Sequence, residues 1–300
     1  MEDAKVSFFM IVTDYDAVIA NHSIRAFRKL KGIPFRLVVY RNYVRQANRE
    51  VYSPIWRSCP FVSLMENEWQ RDDEVKPGTP FLQGPYEEYG SILNRQLRRF
   101  STPYIATVDA DFEILNGRFV NMMLDRLDST PNLIGLSTDY SPTDEEYYDS
   151  YSGRHMRLHQ RWHTWFIIYK RQAFECPVSL GMHKEEIPGS GKIDFWDTTA
   201  WFQKHLREGL GYELEALDKR FDNDFIHYGA FSHNRIVNQS NVALFRYAQI
   251  LRKRGFSGKG DRPGRCVGSL VNRLLLSGDK RDTFREGYTA HWPPGVDTYP

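Results

Sequence analysis

Two aspartates separated by one residue, Asp109 and Asp111 with Ala110 between them, lie in the run TPYIATVDADFEIL (102–115). A stretch of strand-forming residues leads into them, and apolar residues follow. Alternate residues of a strand point to the same side, so both carboxylates are expected to converge on one point. Two like charges held that close repel, and one pKa rises unless a cation lies between them. Mg2+ or Mn2+ suits such a pair, since hard cations take carboxylate oxygens and keep positions for phosphate or water. The alternative is that the pair caps the turn after the strand. Asp-x-Asp alone leaves both readings open.

The elements expected to position the pair alternate along the chain. VSFFMIV (6–12) is a continuous apolar run and reads as a strand buried on both faces, as in a parallel sheet. AVIANHSIRAFRKLKG (17–32) places Val18, Ile19, Ile24, Phe27 and Leu30 at helical spacing, with Gly32 as the stop. FRLVVYRN (35–42) is a second strand, completing a βαβ unit with a right-handed crossover. Between 45 and 85 only FVSLM reads as a strand, and KPGTPFLQGP (76–85) reads as a loop. A helix over 86–100, a strand ending in the aspartates, a helix in VNMMLDRLDS and a strand within 132–140 continue the pattern. The expected fold class is therefore α/β, an open and mostly parallel sheet flanked by helices. Ligands of such sheets bind beyond the carboxyl ends of the strands, where Asp109 and Asp111 stand.

After Tyr140 a polar, aromatic stretch suits a surface excursion. HTWFIIYKRQAF (163–174) reads as a strand and a short helix, and IDFWDTTAWFQKHLREGLGY (193–212) as an amphipathic helix opened by Asp-Thr-Thr and closed by Gly209. YELEALD and FIHYGAFSHN follow as short strands or loops.

At 300 residues and 41% hydrophobic the chain can bury a substantial core. A formal charge of +2 gives no general affinity for nucleic acid. Cys59, Cys176 and Cys266 are too widely spaced for a disulfide framework or a zinc site and fit a reducing compartment. No apolar run reaches spanning length, so a cytoplasmic protein is expected. Residues 246–285 carry eleven Lys/Arg against three Asp, a candidate peripheral contact with an anionic membrane or a lipid-diphosphate acceptor, or simply a solvated basic segment.

Five stretches, in chain order, carry a resemblance: IVTDYD, YGSILNRQL, VDADFEI, DFWDTTAWFQKHLREGLGYELE and FIHYGAFSHN. Together they resemble the GT-A fold of nucleotide-sugar-dependent glycosyltransferases, most of all the inverting glycosyltransferase family 2. The resemblance runs from about residue 6 to 235. It implies a GT-A domain over 1–235, with a nucleotide-binding half to about 115 and an acceptor half beyond it, and a basic, helical C-terminal extension (236–300) packed on the same domain.

The resemblance also implies roles. Thr13 and Asp14 would meet the base and ribose, Asn94 and Arg95 the nucleotide and its phosphates, and Asp109, Ala110 and Asp111 the donor. Asp109, Asp111 and His227 would hold Mn2+ or Mg2+, with His233 as second choice for the histidine. Asp197 would be the general base for the acceptor hydroxyl; because Trp196 stands where the family has Glu, Asp194 is the substitute. Trp162 and Trp165 offer aromatic faces to an acceptor sugar, with core packing as the alternative. The implied reaction moves a hexose from a nucleoside-diphosphate sugar, a UDP-sugar first among them, to a carbohydrate or glycolipid-type acceptor. The rivals are a non-catalytic GT-A-like sugar-binding module and a sugar nucleotidyltransferase, although TDYDAVIA lacks the glycines of a phosphate loop.

Overall fold

Every residue of β1 (Val6–Val12) is buried, which is why its sequence is apolar without alternation. Phe8, Met10 and Val12 face one core, with Phe27, Phe112, Phe119 and Phe166, while Phe9 and Ile11 face another, with Tyr40, Tyr169 and Phe202. Each fully buried ring of this size stabilises the fold by roughly 1.5–3 kcal/mol relative to an exposed one. The computed structural model describes residues 4–14, 16–42, 44, 46–67, 88–149, 154–228 and 246. The chain forms two compact units, Met1–His227 and Tyr228–Pro300. The site lies in the first.

From β1 the chain enters α1 (Ala17–Ala26), which continues as a 3-10 turn over Phe27–Lys29 and turns at Gly32, whose φ is +78°. It then forms β2 (Phe35–Arg41), α2 (Gln46–Arg57) and β3 (Val62–Glu66). Next come α3 (Tyr89–Leu97), β4 (Tyr104–Asp109), β5 (Phe112–Ile114), α4 (Arg118–Ser129) and β6 (Leu133–Ser137). Short strands follow: β7 (Tyr140–Ser141), β8 (Glu145–Asp149), β9 (Arg154–Leu158) and β10 (Arg161–Trp162). The unit closes with β11 (Phe166–Lys170), β12 (His183–Glu186), β13 (Ile193–Trp196), α5 (Ala200–Lys204), β14 (Glu213–Ala216) and β15 (Phe225–His227).

Seven of these strands make the central sheet, in the order β14-β6-β11-β4-β1-β2-β3. All run parallel except β11, which is antiparallel to both β4 and β6. The α/β class expected from sequence is thus present, with helices flanking a mainly parallel sheet. Strand order builds outward from β1 through β2 and β3, then reverses to β4 on the other side. In open sheets of this kind ligands bind where the order reverses, here beyond the carboxyl ends of β1 and β4. Register places Ile11 opposite Asp109, so the end of β4 lies level with the loop after β1.

Several expectations are corrected. α2 contains Pro54 in its interior, the reason its sequence does not read as helix; exposure of Pro54 and burial of Tyr52, Ser53 and Trp56 hold it together. The stretch after Tyr140 is not a plain excursion: β8 and β9 pair antiparallel and join β13 and β12 in a four-stranded second sheet. IDFW is therefore a strand, and the helix begins at Ala200, after the Asp-Thr-Thr. No described helix is long and apolar enough to cross a membrane. The 76–85 loop, His233 and, save Arg246, the basic 246–285 segment lie outside the described residues.

Glu88 caps α3, its carboxylate accepting from Gly90 N at 3.2 Å and Ser91 N at 2.8 Å. Gly90 also lies against a neighbouring backbone: a Cβ there would stand 2.3 Å from Gly181 Cα. Since a backbone cannot move aside as a flexible side chain can, Gly90→Ala is expected to destabilise by about 1–3 kcal/mol. Chemical denaturation against Gly209→Ala, where a Cβ meets nothing within 4 Å, checks this; equal midpoints would refute the close approach.

Candidate metal centre

Asp109 is the last residue of β4, and Ala110 and Asp111 form the turn into β5. Strand alternation, expected to make the carboxylates converge, is therefore not what does so; the turn is. β5 pairs antiparallel with β15, which sets His227 opposite Phe112 and so beside Asp111. Asp224 secures this pairing. Its carbonyl accepts from Leu115 N at 2.7 Å and Asn116 N at 2.9 Å, and its carboxylate accepts from Arg118 Nε at 2.6 Å.

One ligand atom each from Asp109, Asp111 and His227 lie within 4.8 Å of one another. His227 Nε2 is 3.4 Å from Asp111 Oδ1 and 3.9 Å from Asp109 Oδ2. Burial and the neighbouring Asp111 push the Asp109 carboxyl up to about 7. Burial acts to lower the His227 pKa, but Asp111, Asp109 and Asp139 outweigh it and hold it above the ordinary value. Two crowded carboxylates and an imidazole at these separations suit a divalent cation: the donor set is oxygen-rich, and a cation relieves the repulsion that raises Asp109.

Sequence reasoning missed three residues around this group. Tyr89, in the first turn of α3, donates its hydroxyl to Asp109 Oδ1 at 3.2 Å. Asp16 lies within electrostatic reach of Asp109, placing the loop after β1 beside the centre. Asp139, just past the end of β6, acts likewise on His227. The only sequence signal for any of them was position, at or near the edge where parallel strands end.

Trp165 stacks on His227, ring centroids 4.1 Å apart, and also on His163 at 4.1 Å. Two imidazoles that close to one indole cannot share a face, so they cover opposite faces. An acceptor sugar thus finds neither indole face open, which corrects the expectation for Trp165. Trp162 is likewise a core residue, 6% exposed, stacked on Tyr140 at 4.3 Å and with the Arg207 guanidinium 4.9 Å from its ring centre. Burial and Arg161 push His163 down to about 3, so the inner imidazole is neutral.

The two base candidates separate clearly. Asp194 accepts two bonds from Arg157, at 2.6 and 2.9 Å, and lies 3.0 Å from His159 Nε2. The Arg157 hydrogen bonds hold its pKa below the usual carboxylate value, which makes it a poor base. Asp197 has 40% of its side chain exposed, and its ion pair with Arg161 Nε is long, 3.4 Å. It is not the helix cap: its Oδ1 accepts from Thr198 N at 2.7 Å, and Thr199 occupies the cap position.

Thr199 is fully buried at φ +68°, a left-handed conformation that strains a β-branched residue by about 1–3 kcal/mol. Gln203 Nε2 bonds its hydroxyl at 3.0 Å, and its own N–H donates to Leu180 O at 2.8 Å. Gln203 also holds both Trp162 N, at 2.9 Å, and Trp162 O, at 2.8 Å. The turn carrying Asp197 and the segment carrying Arg161 and Trp165 are thereby tied to one side chain.

Of the remaining candidates, Asp14 is buried and accepts from Asn48 Nδ2 at 2.8 Å, while the Thr13 hydroxyl donates to Asp16 at 2.6 Å. Asn94 is turned to the 179–180 loop, bonding Ser179 Oγ at 2.9 Å and Leu180 N at 2.9 Å. Arg95 donates to Tyr40 Oη at 3.0 Å. Arg98 donates at 2.7 Å to the carbonyls of Phe174, Cys176 and Val178. Ala110 is buried within the core.

No protein-family model matches the sequence, and no curated protein matches it. Among solved structures the chain is similar to a mannosyltransferase from Pyrobaculum calidifontis in complex with GDP-mannose and Mn2+. That pair has 11% identity, covers 95% of this chain and 84% of the other, and has a TM-score of 0.47. It is similar also to glucosyl-3-phosphoglycerate synthase from Mycobacterium tuberculosis in complex with Mn2+, UDP and glucosyl-3-phosphoglycerate (13% identity, 86% and 83% covered, TM-score 0.42). A third is 4-diphosphocytidyl-2C-methyl-D-erythritol synthase from Anaerococcus prevotii (8% identity, 82% and 99% covered, TM-score 0.42). GT-A-type glycosyltransferases are thus among the structures this chain resembles.

Proposed function

We propose that the protein is a metal-dependent glycosyltransferase, moving a hexose from a nucleoside-diphosphate sugar to a hydroxyl of a carbohydrate or glycolipid-type acceptor. The observation that carries this reading is the convergence of Asp109, Asp111 and His227 beyond the carboxyl ends of β1 and β4. These three are also the residues that the sequence resemblance assigns to the metal. A divalent cation held by them would neutralise charge developing on a leaving diphosphate.

The chain's own residues do the rest. Tyr89 holds Asp109, and Thr13 and Asp14, on the loop that carries Asp16, would meet the nucleoside. Asp197 takes the acceptor proton as general base, giving attack with inversion; its exposure and long ion pair leave it able to do so, whereas Asp194 is committed to Arg157. UDP is the first nucleotide to test, because Asp14 can accept from a uracil N–H.

A thermal-shift panel of UDP, GDP, dTDP and CDP, each with Mn2+ and with EDTA, tests the reading. A ligand that binds only the folded state raises the melting temperature by mass action. One nucleotide should raise it with Mn2+ and not with EDTA. No shift with any of them would remove the donor site and favour a sugar-binding module. Turnover of nucleoside triphosphate with sugar phosphate would instead mark a nucleotidyltransferase.

A further inference from the structure

We infer that Trp165 is the positioning residue of the metal centre, setting two of its three ligands by stacking on His227 and by a backbone bond to Asp109. The inference rests on the metal reading above and deepens it.

A metal-ligating histidine needs its ring held, and proteins usually do this through a carboxylate or carbonyl on the second ring nitrogen. His227 stands at the end of a three-residue strand, with Nε2 toward the two carboxylates. What fixes its plane is an indole, 4.1 Å away and 26° from parallel. The same residue's carbonyl accepts from Asp109 N at 2.9 Å. Trp165 therefore touches a ligand from β4 through its backbone and a ligand from β15 through its ring.

The clamp is itself backed. On the far face of the indole lies His163, 4.1 Å away and 19° from parallel, with Nε2 2.9 Å from Ser141 Oγ. The His163 N–H donates to Asp139 O at 3.0 Å, and the Thr164 carbonyl accepts from Thr107 Oγ1 at 2.9 Å. With Gln203 gripping both backbone groups of Trp162, the segment 161–165 has little freedom to slide. A movement of the indole would displace His227 and Asp109 together. An aromatic ring at 165 is then a requirement of metal affinity, and a merely apolar side chain of similar bulk is not a substitute.

The test is Mn2+ binding to the full chain by isothermal calorimetry, without nucleotide or sugar, for the wild type, Trp165→Phe and Trp165→Leu. Trp165→Leu should weaken Mn2+ by roughly 10–100-fold, the usual cost of losing a group that orients a metal ligand, while Trp165→Phe restores most of the affinity. A second readout needs no stable variant: Mn2+, and not Mg2+, should broaden the indole N–H resonance of Trp165 in the wild type. A folded Leu variant binding Mn2+ as tightly as the wild type overturns the inference and leaves the metal reading intact, whereas an unbroadened indole resonance in the Mn2+-loaded protein places the ion away from His227 and overturns both. A wild type that binds no Mn2+ removes the metal reading, and the inference with it.

Discussion

Asp111→Ala is expected to abolish metal-dependent nucleotide binding, with Mn2+ affinity falling by at least about 100-fold, beyond what loss of an orienting group alone would cost. Asp111 is the most buried of the three residues proposed to hold the metal, its side chain 8% exposed, and stands nearer to His227 than Asp109 does. Its loss removes both a formal charge and the oxygen that faces the imidazole. Calorimetry with Mn2+ and the preferred nucleotide checks this; an affinity equal to wild type would remove Asp111 from the metal site.

The same substitution carries an opposite expectation without metal. Asp109 is raised to about 7 by burial and Asp111, whereas an unfolded Asp titrates near 3.9. Between about pH 4 and 7 the native chain therefore holds a proton that the unfolded chain has released. In EDTA this group's contribution to stability is present below pH 4 and is lost as pH rises through 7. Asp111→Ala removes the repulsion, so the EDTA-treated variant should melt above wild type at pH 8 and the two should approach each other at pH 5. A variant that is less stable than wild type at pH 8 would show that loss of the Asp111–His227 contact outweighs the relief of repulsion between the carboxylates.

The second large effect is expected at Asp197. Asp197→Asn should leave donor affinity within a few-fold and lower the transfer rate by about 10²–10⁴-fold, the range for loss of a general base. The amide keeps the side chain's shape and can still accept from Thr198 N, so the turn before α5 should persist. Asp194→Asn is the matched control: it keeps at most one of the two bonds from Arg157 and loses the ion pair, so it should cost stability more than rate. Measuring the nucleotide dissociation constant alongside kcat separates the roles, because a base acts in the transition state and not in donor binding. Near-normal transfer by the Asn variant would exclude Asp197 as the base.

How much of this was legible in the sequence differs from element to element. β1 and β2 read as strands because both their faces are buried, which makes the chain itself apolar. α1 read as a helix from its spacing and from Gly32. The α/β class followed from the alternation, Asp109 and Asp111 stood out as paired charges at a strand end, and His227 was named only by what the resemblance implies. α2 did not read as a helix, since Pro54 contradicts it locally and only the burial of Tyr52 and Trp56 against the rest of the fold overrides that. The antiparallel direction of β11 left no trace in its composition, because a strand buried in a sheet has the same residues whichever way it runs.

Site roles divide in the same way. Sequence by itself determined which residues have the chemistry: two carboxylates near a strand end, a histidine far along the chain, two aspartates flanking Trp196, and two tryptophans between 160 and 166. The tertiary structure alone decided which of them are available. Asp194 meets Arg157, Asn94 meets the 179–180 loop, Trp162 meets Tyr140, and Trp165 is enclosed by two imidazoles. The reason is physical. Residue type and spacing encode local periodicity and the intrinsic chemistry of a side chain, but its remaining bonds and its open faces are taken by residues distant in sequence. Only folding brings those together, and it is they that separate a half-exposed carboxylate from one fully engaged by an arginine.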